Sequence, residues 1–151
     1  MKILFVCLGN ICRSPMAEFV MRDLLEKAGR SDVTVASAGT CDIEVGRPVY
    51  PPAREVIEAG GLCCAGKVAR QMTAEDYGEY DLLIAMDAQN ITDMLSMCGG
   101  DPDGKMHLLM DYTGRPGNVA DPFFTRKFSL TWDDVQEGCR GLLQAIIEET
   151  N

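Results

Sequence analysis

The chain of 151 residues contains one histidine, and its seven cysteines, at positions 7, 12, 41, 63, 64, 98 and 139, include no Cys-x-x-Cys pair. Without that spacing or a second histidine, the usual zinc sites cannot be built, and no metal or other cofactor is expected. An odd, unpatterned set of cysteines does not make a disulfide framework either; reduced thiols, most of them small core residues, fit better. Positive charge is scarce, with 14 Lys and Arg against 23 Asp and Glu for a net charge of −9. Phosphate-backbone binding draws on Lys and Arg, so nucleic acid is not expected as a partner. No apolar run approaches the roughly 20 residues needed to span a bilayer, so no membrane partner is expected. The start "MKILFVCLGN" has one lysine and a short apolar run but no small-residue cleavage site. It reads as a first strand rather than a signal peptide, with a cytoplasmic location expected.

What is present is a composition of 46% hydrophobic and 25% charged residues, that of a globular protein. The length suits one domain spanning residues 1–151. Apolar runs bounded by turn residues alternate with helix-period segments, the pattern of βαβ units, so the fold class is α/β with a parallel sheet. Strands are expected from Lys2 to Leu8, Val33 to Ala38, Tyr80 to Met86 and Met106 to Leu109. Helices are expected from Ser14 to Ala28, with Ser14 as N-cap, Pro15 first and Gly29 as stop, and from Pro52 to Ala59 before Gly60-Gly61. Further helices are expected from Ala88 to Met97 and from Trp132 to Glu148, the last preceded by Thr131 and Asp134 spaced as a capping box. The segment from Asp111 to Leu130 reads as irregular, and a connection of that length is usually functional or disordered.

The stretch "VCLGNICRSPMAE", Val6 to Glu18, concentrates special residues between the first strand and the first helix. The strand delivers Cys7 to the end of a parallel sheet, where ligands commonly bind. Five residues separate Cys7 from Arg13, and Gly9 and Asn10 can take left-handed conformations. Such a loop can curl so that its backbone N–H groups point inward as an anion nest, with the helix N-terminus adding positive potential. The same surroundings favour a thiolate, which is the nucleophilic form of cysteine. Arg13 can bond two oxygens of a phosphate at once, and Ser14 can donate a hydroxyl hydrogen to the thiolate. Singly, a cysteine at a strand end is a core thiol and an arginine near a helix start is solvated; together they point to phosphoryl transfer through Cys7.

This stretch closely resembles the N-terminus of the low-molecular-weight protein tyrosine phosphatases. The resemblance continues through "SAGT" at 37–40, Gly46, "ARQMTAEDY" at 69–77, "YDLLIAMD" at 80–87 and "ADPFF" at 120–124, in family order. It implies a four-stranded parallel sheet flanked by helices in three layers, with the phosphate loop between the first strand and the first helix. It implies Cys7 as nucleophile, Arg13 as the phosphate-binding arginine and Asp121 as the general acid that later activates water. Leu8, Gly9, Asn10, Ile11, Cys12, Ser14, Ile43, Phe123 and Phe124 are the implied substrate-binding residues, and Ser37 supports the loop. Cys12 resembles the family's second cysteine, which can form a reversible disulfide with an oxidised Cys7. The expected substrate is a phosphotyrosine-bearing protein, a tyrosine kinase among the candidates, and phosphate-like oxyanions should bind.

Several residues depart from the family pattern. Phe123 and Phe124 stand where many members have tyrosines, Ile43 occupies a place that is aromatic in some relatives, and Lys67 replaces a histidine that animal members use in loop support. Protein arginine phosphatases share this scaffold but carry threonine where Ile11 stands, and an apolar branched side chain suits an aryl ring better. Arsenate reductases on the scaffold need downstream resolving cysteines, and none lies between Cys64 and Cys98. A phosphopeptide-binding module without turnover would require a defect in the catalytic set, yet Cys7, Arg13 and Asp121 are all present.

Overall fold

The computed structural model describes residues 1–149. Its centre is a four-stranded, wholly parallel sheet in the order β2-β1-β3-β4, made of β1 (Lys2–Cys7), β2 (Thr34–Gly39), β3 (Leu82–Ala85) and β4 (Met106–Leu108). Parallel strands need crossovers, and the helices that supply them cover both sheet faces. Ile3 to Val6 of β1 are therefore fully buried, and their side chains alternate between two cores. Ile3 and Phe5 pack with Met16, Met21, Cys139 and Leu142, from α1 (Arg13–Lys27) and α6 (Phe128–Glu149). Leu4 and Val6 pack with Leu83, Ala85 and Met94, the last from α4 (Ala88–Cys98). Truncating Phe5 to alanine should cost about 3–5 kcal/mol, as large core truncations do.

Three further helices complete the architecture: α2 (Pro51–Ala59), α3 (Asp76–Glu79) and α5 (Pro122–Thr125). The short α3 has no counterpart in the sequence pattern, because four residues cannot show a period. The expected irregular stretch from Asp111 to Leu130 in fact contains the end of a 3-10 turn over Leu109–Tyr112, all of α5 and the start of α6. The Thr131–Asp134 capping box is absent: α6 begins at Phe128, and the Thr131 hydroxyl, inside the helix, donates to the Ala120 carbonyl at 3.1 Å. Likewise Ser14 is not an N-cap. The helix starts one residue earlier, after Cys12, which offers no side-chain cap, and the Ser14 hydroxyl is turned toward Cys7. Of the two loop residues suited to left-handed backbone, only Asn10 adopts it, with φ of 60°.

Candidate active site

The loop from Leu8 to Cys12 runs from the C-terminal end of β1 to the N-terminus of α1. No backbone N–H from Gly9 to Cys12 donates to another described residue, although Asn10, Ile11 and Cys12 are buried. Buried N–H groups are almost always paired, so a row of unpaired ones at a helix N-terminus is built for an anion. The loop lies so close to β2 that Gly39 is obligatory: a Cβ there would stand 2.7 Å from the Leu8 oxygen and 3.1 Å from the Asn10 nitrogen. On the other flank, Tyr50 N–H donates to the Ile11 carbonyl at 2.9 Å.

Behind the loop is a directed chain of hydrogen bonds. Glu18 is buried, and its Oε1 accepts from the Ser37 hydroxyl at 2.6 Å and pairs with Lys67 at 3.2 Å, while Oε2 accepts from Arg22 at 2.6 Å. A carboxylate only accepts, so Ser37 must donate to it. Asn10 Nδ2 then donates to Ser37 Oγ at 2.9 Å and to Ser14 Oγ at 2.8 Å, its own Oδ1 accepting from Arg70 N–H. The Ser14 hydrogen is left for Cys7 Sγ at 3.0 Å, with the Ala38 carbonyl at 3.4 Å a poorer alternative. Charge on Glu18 thus fixes the polarity of a chain ending on the sulfur. Lys67 also donates to the Ser37 carbonyl at 3.0 Å and so takes part in the network.

Arg13 is almost wholly buried, its Nη1 donating to Asp87 at 2.6 Å and to the Val119 carbonyl at 2.9 Å. Its Nη2 lies 3.4 Å from Asp121. Burial alone would lower the Arg13 pKa, but the charges of Cys7, Asp87 and Asp121 outweigh it and the net shift is upward. The guanidinium therefore stays charged. Asp121 caps α5, its Oδ1 accepting from Phe123 N–H at 3.0 Å, which leaves Oδ2 toward Arg13. Burial, followed by the neighbouring charge of Cys7, pushes the Cys12 thiol up, so Cys12 stays protonated at neutral pH.

A cavity of about 210 Å³ is lined by Cys7, Leu8, Gly9, Ile11, Cys12, Arg13, Ile43, Asp121, Phe123 and Phe124 from the sequence expectation, together with Cys41 and Glu44. It is smaller than the roughly 300–1,000 Å³ of drug-sized sites. Ile43 and Phe124 are about three-quarters exposed at its mouth. Asn10 and Ser14, grouped by resemblance with the substrate-binding residues, do not line it; they sit behind the loop with Ser37. Sequence reasoning missed Glu18, Gly39 and Asp87. The Asp87-x-x-Asn90 spacing announces the capping box that starts α4, but not that Asp87 also grips Arg13.

Fold and cavity together define an α/β protein with a pocket at a strand-to-helix loop, a cysteine at its base and an arginine and an aspartate at its edge. A profile of the low molecular weight phosphotyrosine protein phosphatase family matches residues 2–151, and the chain belongs to that family. It is a protein tyrosine phosphatase, a cysteine-dependent hydrolase. Over 151 residues it is 38% identical to the low molecular weight protein-tyrosine-phosphatase YfkJ of Bacillus subtilis, covering 98% of this chain and 97% of that protein. The crystal structure of YfkJ superposes with a TM-score of 0.96 at 37% identity, covering 100% of this chain and 97% of the other. PtpA of Staphylococcus epidermidis is 33% identical over 99% of this chain and 96% of its own. The Drosophila arginine phosphatase structure matches with a TM-score of 0.88 at 32% identity, covering 97% of this chain and 98% of that one.

Proposed function

We propose that residues 1–151 form one catalytic domain that hydrolyses phosphotyrosine and small aryl phosphates through a phosphocysteine at Cys7. The observation that carries this is the row of unpaired loop N–H groups around Cys7, closed by Arg13 and faced by Asp121. The three non-bridging phosphate oxygens would take the loop N–H groups and the free edge of the Arg13 guanidinium. Cys7 Sγ attacks phosphorus as the bond to the phenolic oxygen breaks, and Asp121, in its acid form, gives that oxygen its proton. Asp121, now a carboxylate, takes a proton from water as the water oxygen attacks phosphorus. The S–P bond then breaks, leaving inorganic phosphate and the Cys7 thiolate, which the Ser14 hydroxyl stabilises.

Substrate choice follows from the walls. Ile11, Phe123 and Phe124 offer apolar surface to a flat ring, and Ile11 has no hydroxyl to offer a guanidino nitrogen. Phosphotyrosine proteins, tyrosine kinases among them, are the substrates proposed, in a reducing cytoplasm where all seven cysteines stay free. No helix among the described residues is long and apolar enough to cross a membrane. The test is hydrolysis of phosphotyrosine, phosphoserine and phosphoarginine by wild type, Cys7→Ser, Asp121→Ala and Ile11→Thr. Cleavage of phosphotyrosine that Cys7→Ser abolishes is expected, with Asp121→Ala slowed chiefly on poor leaving groups. Activity confined to phosphoarginine would replace this substrate with that of the Drosophila relative, and arsenate reduction would be the next assay if all three compounds were inert.

A further inference from the structure

Among the described residues Arg126 is one of two non-glycine residues with positive φ, at 62°, and the other is Asn10 of the phosphate loop. A side chain with a Cβ is unfavourable there, and such a conformation persists where the surroundings impose it. Arg126 is exposed, and what holds it is a set of specific contacts. Its N–H closes α5 by donating to the Pro122 carbonyl at 2.8 Å. Its guanidinium lies over the rings of Tyr50 and Phe128, 5.5 and 5.3 Å from their centroids. One nitrogen, Nη1, donates both to the Tyr50 hydroxyl at 3.1 Å and to the Phe123 carbonyl at 3.3 Å.

Both ends of this contact lead to the reacting groups. Phe123 N–H donates to the capping carboxylate of Asp121, and Phe124 and Thr125 N–H both return to the Asp121 carbonyl at 3.1 Å. Tyr50 is tied through its own N–H to Ile11 of the phosphate loop, and its ring meets Phe123 at 5.3 Å. We propose that Arg126 and Tyr50 form a latch that holds α5 against the phosphate loop and so sets the position of Asp121 over the leaving oxygen. Arg126 is a positioning residue: it acts through α5 and Tyr50. A planar cation is suited to this, because it can stack on two rings and still donate in its own plane. The proposal rests on Asp121 as the general acid.

The test compares kcat/KM on phenyl phosphate, a poor leaving group, with that on p-nitrophenyl phosphate, which needs little protonation. Arg126→Gly removes the guanidinium and places glycine where the backbone favours it, so folding should survive. It should lower the phenyl-to-nitrophenyl ratio by about tenfold, part of the 10²- to 10⁴-fold that a positioned acid supplies. Tyr50→Phe, which keeps the ring and loses the hydroxyl, should lower the ratio less. In an Asp121→Ala background, Arg126→Gly should leave the ratio where Asp121→Ala has already set it. Equal losses on both substrates, or a fall in the ratio that persists without Asp121, would overturn the latch. Full rescue by Arg126→Lys would overturn it too, since lysine restores charge without the planar stack. If Asp121→Ala itself leaves the ratio unchanged, the acid assignment fails and the latch with it; a changed ratio in Asp121→Ala beside an unchanged one in Arg126→Gly refutes the latch alone.

Discussion

Replacing Glu18 with glutamine tests whether one buried charge organises the loop from behind. The substitution keeps the shape of the side chain but gives Ser37, Lys67 and Arg22 a neutral amide in place of a carboxylate. Arg22 is half exposed and can turn to water, so its share is at most about 0.5 kcal/mol, as for exposed i,i+4 pairs. Lys67 is different: its side chain is 14% exposed and would keep a charge with no carboxylate to meet it. Breaking a buried pair from one side costs about 3–5 kcal/mol, and the partial exposure of Lys67 puts the expected loss near 3. At roughly 2–4 °C per kcal/mol for a chain of this size, Tm should fall by about 6–12 °C. Adding Lys67→Met removes the stranded cation and should recover about 2 kcal/mol, a coupling that a double-mutant cycle in urea measures directly. Turnover should fall in Glu18→Gln as well, because an amide no longer forces Ser37 to donate toward it. Additive stability losses, or a Glu18→Gln enzyme with wild-type Tm and kcat, would refute the reasoning.

Gly39→Ala should cost about 1–3 kcal/mol through overpacking, and up to about 100-fold in kcat/KM, because the phosphate loop must move to admit the Cβ. Gly78→Ala, which meets nothing within 4 Å, is the control and should be neutral by both urea unfolding and kinetics. Asp87→Asn keeps a competent N-cap for α4 but withdraws the charge from Arg13, so kcat/KM should fall by about 1.5–3 kcal/mol, roughly 10- to 160-fold, and Tm should fall too, though less than in Glu18→Gln because Asp121 stays beside the buried guanidinium. Burial pushes the Cys12 and Cys139 thiols up, so at pH 8 iodoacetamide followed by mass spectrometry should find both unlabelled in the native protein and labelled in urea. Labelling of native Cys12 at the rate of exposed Cys63 would contradict its burial.

Legibility in the sequence followed the range of the interactions involved. The strands and most helices are written in local patterns, and their ends in the structure lie within one or two residues of expectation, apart from the start of α6. The phosphate loop was equally readable, because Cys7, Gly9, Asn10, Arg13 and Ser14 fall within eight consecutive positions. Errors arose where a residue with an obvious local job had been recruited to a distant one. Ser14 looks like a cap and instead serves Cys7, and Thr131 looks like part of a capping box and instead holds Ala120. Glu18 and Gly39 gave no signal at all: a glutamate in a helix reads as solvated, and nothing in "SAGT" says that another segment of chain will press against its glycine.

The partners of Arg13 lie far along the chain, Asp87 at 74 residues and Val119 at 106 residues away. The residues proposed as catalytic are thus far apart in the chain, from Cys7 in the first strand to Asp121 at the start of α5, so the proposed nucleophile is synthesised well before the proposed acid. Until the segment around Asp121 has been made and docked, Cys7 faces no acid and its cavity lacks the wall supplied by Phe123 and Phe124. Long-range closures of this kind are slow relative to helix formation. Recovery of turnover during refolding should accordingly lag behind recovery of helical circular dichroism, making the enzyme's own activity the clock for its last folding step.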